Sequence, residues 1–228
     1  MHLNGWYAYL CIEEPDGWNS EVHDELLKNA LRSILTVRVQ EKTPYISRII
    51  SGLQCDIIMG IETMKGTDIM GYNPRMVQKS FLKIKVATPL LCTPLRDVLE
   101  EGLSIVIHGN EIEMREGTKT KTFNSNLEPV LQFMVDQHMS GCQWCQVPVD
   151  RDDFVPKKST CDIEIEKCSV DQLRLLELSE RSDVGSIRIL SFDLEAAGRK
   201  GVFPDPAIDP VIQIGIHFEI AGETDKTV

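Results

Sequence analysis

The stretch "SIRILSFDLEAAGRKGVF", residues 186–203, sets an alternating apolar run against two carboxylates two positions apart. In extended chain, residues i and i+2 project to the same side, about 6.5 Å apart along the backbone. Ile187, Ile189, Ser191, Asp193 and Glu195 then share one face, and Arg188, Leu190, Phe192 and Leu194 the other. The apolar flanks predict a central strand, where carboxylates are costly unless paired or bound to cations. Mg²⁺ takes hard oxygen ligands, and a shared carboxylate can bridge two ions. Asp193 and Glu195 are thus the candidate metal-binding and catalytic pair; the plainer reading of the same spacing is the polar edge of a strand. Beyond them "AAGRKGVFPDPAIDP" reads as a long loop. "VIQIGIHFEI" reads as a second strand, with Ile212, Ile214, Ile216, Phe218 and Ile220 alternating against Gln213, Gly215, His217 and Glu219. Arg199 and Lys200, in the loop, are possible phosphate contacts or a solvated pair. Asp205 and Asp209 sit by prolines and Asp225 in a polar tail, so none is taken as a further ligand.

Working back from that unit, "GWYAYLCI" is strand-like, with Trp6, Ala8, Leu10 and Ile12 on one face. "EVHDELLKNALRSILT" is an amphipathic helix begun near Asn19 or Ser20, with Val22, Leu26, Ala30 and Ile34 in line and Leu27, Leu31 and Leu35 beside them. Mixed, mostly extended sequence is expected to follow. "SFLKIKVATP" is a half-buried strand, and "TPLRDVLEEG" a helix capped by Thr93, with Pro94 at its first position and Gly102 as its stop. "SIVIHG" returns to strand, and "EGTKTKTFNSN" is a polar loop or hairpin arm. "NLEPVLQFMVDQHM" is a helix with an apolar stripe of Leu127, Leu131, Met134 and Val135, capped by Ser125 or Asn126. Residues 146–160 read as a turn or linker, and "CDIEIEKCS" as another strand.

The 228 residues carry a net charge of −11, 42% hydrophobic and 26% charged residues, which fits an ordinary globular chain of one or two domains. A freestanding duplex-DNA binder would more often be basic. The seven cysteines are odd in number and scattered, and no signal peptide precedes them, which reads as a reducing compartment, cytosol or nucleus. Cys142 and Cys145 form a CxxC with no second pair, so buried or half-buried thiols are the better reading than zinc or redox chemistry. No apolar run approaches the length of a membrane span.

"ILSFDLEAAGRKGVFPDPAIDPVIQIG" resembles the start of the 3′–5′ proofreading exonuclease domain of family B DNA polymerases of the eukaryotic delta type. "MGYNPRMVQKSFLKIKVATPLLCTPLRDVLEEG" and "FNSNLEPVLQFMVDQHMSGCQWCQVPV" resemble the N-terminal domain of the same family, and the resemblance runs from about residue 5 to 220. It implies an α+β chain. Residues 1–160 would be a mixed α/β domain with the character of an OB-like barrel, and residues 161–228 the first strands of a ribonuclease H-like exonuclease domain. It implies that Asp193 and Glu195 fall on the first exonuclease motif and ligate two divalent ions, Mg²⁺ or Mn²⁺, with Phe192 and Leu194 as packing positions. Ala196 stands where close relatives often carry Cys. The further metal-binding aspartates and the assisting Tyr of the family's other exonuclease motifs, the palm aspartates and the iron-sulfur and zinc modules are not among these residues. The resemblance therefore implies part of a DNA-directed DNA polymerase of replication and repair, inactive as this chain alone, or a non-catalytic DNA-binding or scaffold module of it. The implied partners are DNA, the accessory subunits of the holoenzyme and the sliding clamp, with no membrane, in the nucleus.

Overall fold

The computed structural model describes residues 3–67, 75–156, 160, 163–165, 168–183, 185 and 187–220. The chain divides into two units, Met1–Ser140 with Val147–Arg174, and Gly141–Gln146 with Leu175–Val228.

The first unit is built on a four-stranded antiparallel sheet. Its strands are β1 (Tyr9–Glu13), β2 (Ile58–Thr67), β3 (Gln78–Val86) and, beyond a separate hairpin of β4 (Leu103–His108) and β5 (Glu111–Glu116), β6 (Thr122–Phe123). The order across the sheet is β2-β3-β1-β6. Helix α1 (Ser20–Lys42) covers one sheet face. Asn19 caps it by accepting from the Glu21 amide. Buried His23 ties its first turn to the β4–β5 turn: Nδ1 accepts from Asn19 N and Nε2 donates to Gly109 O, each at 2.9 Å. Of the two candidate stripes on α1, the one that faces the sheet is Leu27, Leu31, Leu35 and Val39, all fully buried, whereas Leu26 is exposed. Each such side chain contributes about 2 kcal/mol by burial. The opposing residues are Leu10, Ile12, Ile58, Leu82, Ile84 and Val86.

The mixed, mostly extended stretch expected after residue 36 begins as helix and is extended from Ile58 to Thr67. The period continues to Val39, and α1 ends only at Thr43, ahead of Pro44, which disfavours helix in the residue before it and then serves as the first residue of α2 (Pro44–Ser51). Helix α3 (Cys92–Glu100) starts one residue before Thr93, out of a 3₁₀ turn at Pro89–Leu91, so Thr93 lies inside it and caps nothing. Gly102, at φ +139°, marks its end as expected. Helix α4 (Pro129–Asp136) is capped by Glu128, whose carboxylate accepts from Leu131 N, and not by Ser125 or Asn126. Its buried residue is Gln132; Leu131 and Val135, expected in the apolar stripe, are exposed. The Gln132 side chain completes the open end of β1, accepting from Tyr9 N at 3.2 Å and donating to Tyr9 O at 2.9 Å. Next to it Asp136 accepts from Trp6 Nε1 at 2.8 Å and from Tyr9 OH at 2.7 Å.

Among the described residues, the barrel expected for residues 1–160 does not form. Closure requires the first and last strands of a sheet to pair. Here the outer strands are ten-residue β2 and two-residue β6, with no ladder between them, and β4 and β5 pair only with each other. The fold class is therefore a mixed α/β one with several open antiparallel sheets among the described residues. The segment 161–169 is likewise not a full strand where it is described: Ile165 forms a single bridge to Phe154, and Cys168–Ser169 pairs in parallel with Leu3–Asn4.

In the second unit, β7 (Arg188–Ala196) and β8 (Val211–Ile220) form a two-stranded antiparallel ladder. This corrects one expectation: among the described residues β7 is one of two paired strands and not a central strand. The predicted strongly apolar face of β8 is present, but Phe192 and Ile216, which pair across the ladder, are each 67% exposed. Cys142 and Cys145, read from sequence as buried or half-buried, are both exposed. Between them Trp144 is held by an Arg181 guanidinium 3.7 Å over its ring.

Candidate metal and nucleotide site

Asp193 and Glu195 lie on the same face of β7, as the period of two requires, and both are exposed. Asp193 Oδ1 accepts from the Leu194 amide at 2.9 Å, which pins that carboxylate against its own strand. Across the ladder Asp193 faces Gly215 and Glu195 faces Gln213, with a bulge just beyond, between Glu195 and Ala196. Ser191 faces His217. Directly paired residues of an antiparallel ladder project to one side, so both carboxylates share a polar face with Gln213 and His217. The apolar side chains Leu190, Phe192, Leu194, Ile214 and Ile216 occupy the reverse face.

The loop between the strands is closed at its base by Ala197 N donating to Pro210 O at 2.9 Å. Asp209 organises its interior. Its nearly buried carboxylate accepts from Asp205 N at 2.8 Å and pairs with Arg199 Nη2 at 3.3 Å. Asp205 in turn accepts from Ala207 N through its side chain. Both aspartates thus shape the loop. Arg199 is engaged by Asp209, and Lys200 is exposed on the adjacent turn. Asp225 lies outside the described residues.

Two carboxylates on one open face are a hard-oxygen donor set of the kind Mg²⁺ and Mn²⁺ accept, and the side-chain-free position opposite Asp193 leaves room for further ligands of an ion. Among the described residues no three His, Cys, Asp or Glu side chains converge as a metal site. The pair therefore offers one side of a coordination shell.

The first unit holds a second feature that the sequence did not disclose. A cleft of about 530 Å³ opens beside β6, lined by Cys11, Met64, Phe81, Lys121, Phe123 and Asn124. Phe81 and Phe123 meet edge-to-face at 5.1 Å, and Lys121 Nζ stands 4.6 Å over the Phe123 ring. The only sequence signal for it was the Lys-Thr-Phe-Asn order of the polar arm. The partner residues Met64 and Phe81 are brought in by strand pairing.

The family model "DNA polymerase family B, exonuclease domain" matches residues 120–228. The chain is 36% identical over 227 residues to the DNA polymerase delta catalytic subunit of Dictyostelium discoideum, covering 99% of this chain and 19% of that protein. It is 37% identical over 167 residues to the DNA polymerase delta catalytic subunit of Oryza sativa subsp. japonica, covering 72% of this chain and 14% of that protein. Among solved structures, the family B DNA polymerase from the hyperthermophilic archaeon Pyrobaculum calidifontis aligns with a TM-score of 0.47 and 14% identity, over 98% of this chain and 22% of that one. The chain spans about a fifth or less of the length of these curated relatives. Among the described residues no helix is long and apolar enough to cross a membrane.

Proposed function

We propose a function for this chain from the premise that it carries a family B DNA polymerase domain related to the delta catalytic subunit. The function is to supply the first carboxylate pair of a 3′–5′ exonuclease site in a delta-type, DNA-directed DNA polymerase of replication and repair, working in the nucleus with DNA, the holoenzyme's accessory subunits and a sliding clamp. In this reading residues 1–160 form the N-terminal domain and residues 161–228 open the exonuclease domain. The observation that carries it is the position of Asp193 and Glu195 on one open face of β7, inside the stretch matched by the exonuclease family model. Divalent ions bound there would activate water and stabilise the leaving oxygen in phosphodiester cleavage. The chain's own part is to hold those ions with two fixed carboxylates, Asp193 tethered through the Leu194 amide. One side of a shell does not fix in-line geometry, so excision requires further ligands, and the 228-residue chain by itself is inactive.

The test places this segment in a delta-type catalytic subunit in exchange for its counterpart. Asp193→Ala with Glu195→Ala removes 3′-end excision and spares nucleotide incorporation; undiminished excision in the double variant overturns the assignment.

A second reading rests on the cleft beside β6. Aromatic rings and a lysine lining an open cleft suit single-stranded nucleic acid, whose bases stack on such rings. In this reading the first unit is a non-catalytic DNA-contacting module. Single-stranded oligonucleotide would quench or shift signals of Phe81 and Phe123, and Phe123→Ala would weaken the binding.

A further inference from the structure

In the second unit the exposed thiols of Cys142 and Cys145 flank an anchored tryptophan. Trp144 Nε1 donates to Asp183 O at 2.5 Å, the Trp144 carbonyl accepts from Leu176 N at 2.9 Å, and the Arg181 guanidinium lies 3.7 Å over the ring. A Cβ at Gly185 would stand 3.6 Å from that ring, so the backbone passes against it there as well. Gln143 Nε2 donates to Leu176 O at 3.2 Å. The two residues between the thiols thus hold the segment 176–185, which leads into β7.

This anchor keeps the two cysteines apart. Gln143 and Trp144 form neither a turn nor a bend. Cys145 opens a two-residue strand, Cys145–Gln146, whose partner strand ends at Leu175. Three steps of extended chain span roughly 10 Å. A disulfide needs its Cα atoms about 4.4–6.8 Å apart. A bridge between Cys142 and Cys145 therefore requires the chain to curl at Gln143 and Trp144. That curl withdraws the indole and the Trp144 carbonyl from Asp183, Arg181 and Leu176. Cys142 holds a φ of +58°, uncommon for a residue with a side chain, so rearranging its turn gives up strain.

We propose that Cys142 and Cys145 are a thiol–disulfide modification site whose closure releases the Trp144 anchor. The co-reactant is a small disulfide of the glutathione class. The Cys142 thiolate attacks one of its sulfurs and expels a first small thiolate. The Cys145 thiolate then attacks the Cys142 sulfur of the mixed disulfide and expels the second. Two protein thiols are oxidised, one small disulfide is reduced to two small thiols, and the protons of the former pass to the latter. Bridge and anchor exclude each other, so each contact that holds Trp144 opposes closure by its own free energy. Under reducing conditions the thiols stay free and residues 176–185 stay clasped. Under oxidising conditions the approach to β7 is loosened.

The experiment equilibrates the isotope-labelled 228-residue chain in glutathione buffers of graded ratio, traps the free thiols and maps the peptides by mass. The indole N–H signal of Trp144 is followed in the same samples. A peptide bridged between Cys142 and Cys145 should appear, and at the same midpoint the Trp144 signal should move and the Leu176 amide should exchange faster. Cys55, exposed and far in sequence from any other cysteine, should take up glutathione only as a mixed disulfide. Arg181→Ala removes the cation from the ring and Trp144→Phe removes the Nε1 donor. Each should raise the exchange constant for bridging about threefold to fivefold. Together they should raise it about tenfold, or about 30 mV for a two-electron couple. Cys145→Ser should stop at the mixed disulfide on Cys142 and leave the Trp144 signal in place. Glutathione on both cysteines without a bridge overturns the proposal. So does a bridge that forms with the Trp144 signal unmoved, or a midpoint that neither Arg181→Ala nor Trp144→Phe changes.

Discussion

Gln132 shows how one polar side chain can carry more than the apolar residues around it. The sequence period of α4 pointed to Leu131, Met134 and Val135 as the packing face. The helix instead buries Gln132, because the main chain of Tyr9 runs past the end of β6 and needs partners that no strand supplies. Replacing Gln132 by Met keeps the volume and strands the Tyr9 amide and carbonyl. Urea unfolding should show a loss of about 2 kcal/mol. Val135→Ala, on the exposed side, should stay within about 0.5 kcal/mol. The reverse order would restore the apolar-stripe reading. The cysteines give a second test at this scale. Burial pushes the Cys11 and Cys92 thiols up to about 11. A raised thiol pKa leaves little thiolate near neutrality, so both should resist alkylation at pH 8 in the native chain and react only as the pH nears 11 or on unfolding. Cys55, Cys142 and Cys145 are exposed and should be alkylated first. Mass mapping of the labelled peptides distinguishes the two groups. Early labelling of Cys11 would contradict its place beneath Met64, whose sulfur lies 3.8 Å away.

At the scale of elements, what was legible depended on whether an element's environment is set by its own period or by a partner distant in sequence. Strand β1, helix α1 and strand β3 were readable because one clean face of each meets the same core. The choice between two adjacent stripes on α1 was not readable. It depends on the sheet's position, and the sheet selected the stripe that continues to Val39. Asp193 and Glu195 on one face followed from the period of two alone. Their cross-strand neighbours did not, since a ladder's register is fixed by its loop and bulge and a one-residue slip changes every partner. The apolar flanks of β7 suggested burial, yet the ladder's apolar face stands open, with Phe192 and Ile216 paired on it. An open face of this kind binds hydrophobic dyes and promotes association. Ile216→Lys should therefore lower dye binding and light scattering while changing unfolding stability by no more than about 0.5 kcal/mol. A loss of 2 kcal/mol or more would mean that the face is covered in solution.

For the whole molecule, the decisive contrast is where buried apolar side chains lie. Every buried hydrophobic residue among the described ones, from Ala8 to Val170, belongs to the first unit; the buried residue of the second is Asp209, a polar loop organiser. Composition could not reveal this, because the strands of the second unit are as apolar as those of the first. What differs is the number of layers packed on them. The expected barrel failed for a related reason: resemblance supplied strands, but closure depends on which outer strands reach each other, and β6 is only two residues long. A two-stranded ladder alone is marginal in water, whereas a sheet covered by a 23-residue helix unfolds as a unit. Hydrogen exchange should therefore split the chain. Amides of Leu10, Ile12, Leu82 and Ile84 should exchange only through global unfolding, with free energies that fall in urea along the slope of the main transition. Amides of Leu190 to Leu194 and Ile214 to Phe218 should exchange through local opening, orders of magnitude faster and with little urea dependence. Placing the segment in a longer delta-type polypeptide should raise the protection of the second set and leave the first unchanged, because the ladder's apolar face is open to added layers whereas Leu10, Ile12, Leu82 and Ile84 are already fully buried. Equal protection of the two sets in the 228-residue chain would show that its two units unfold as one.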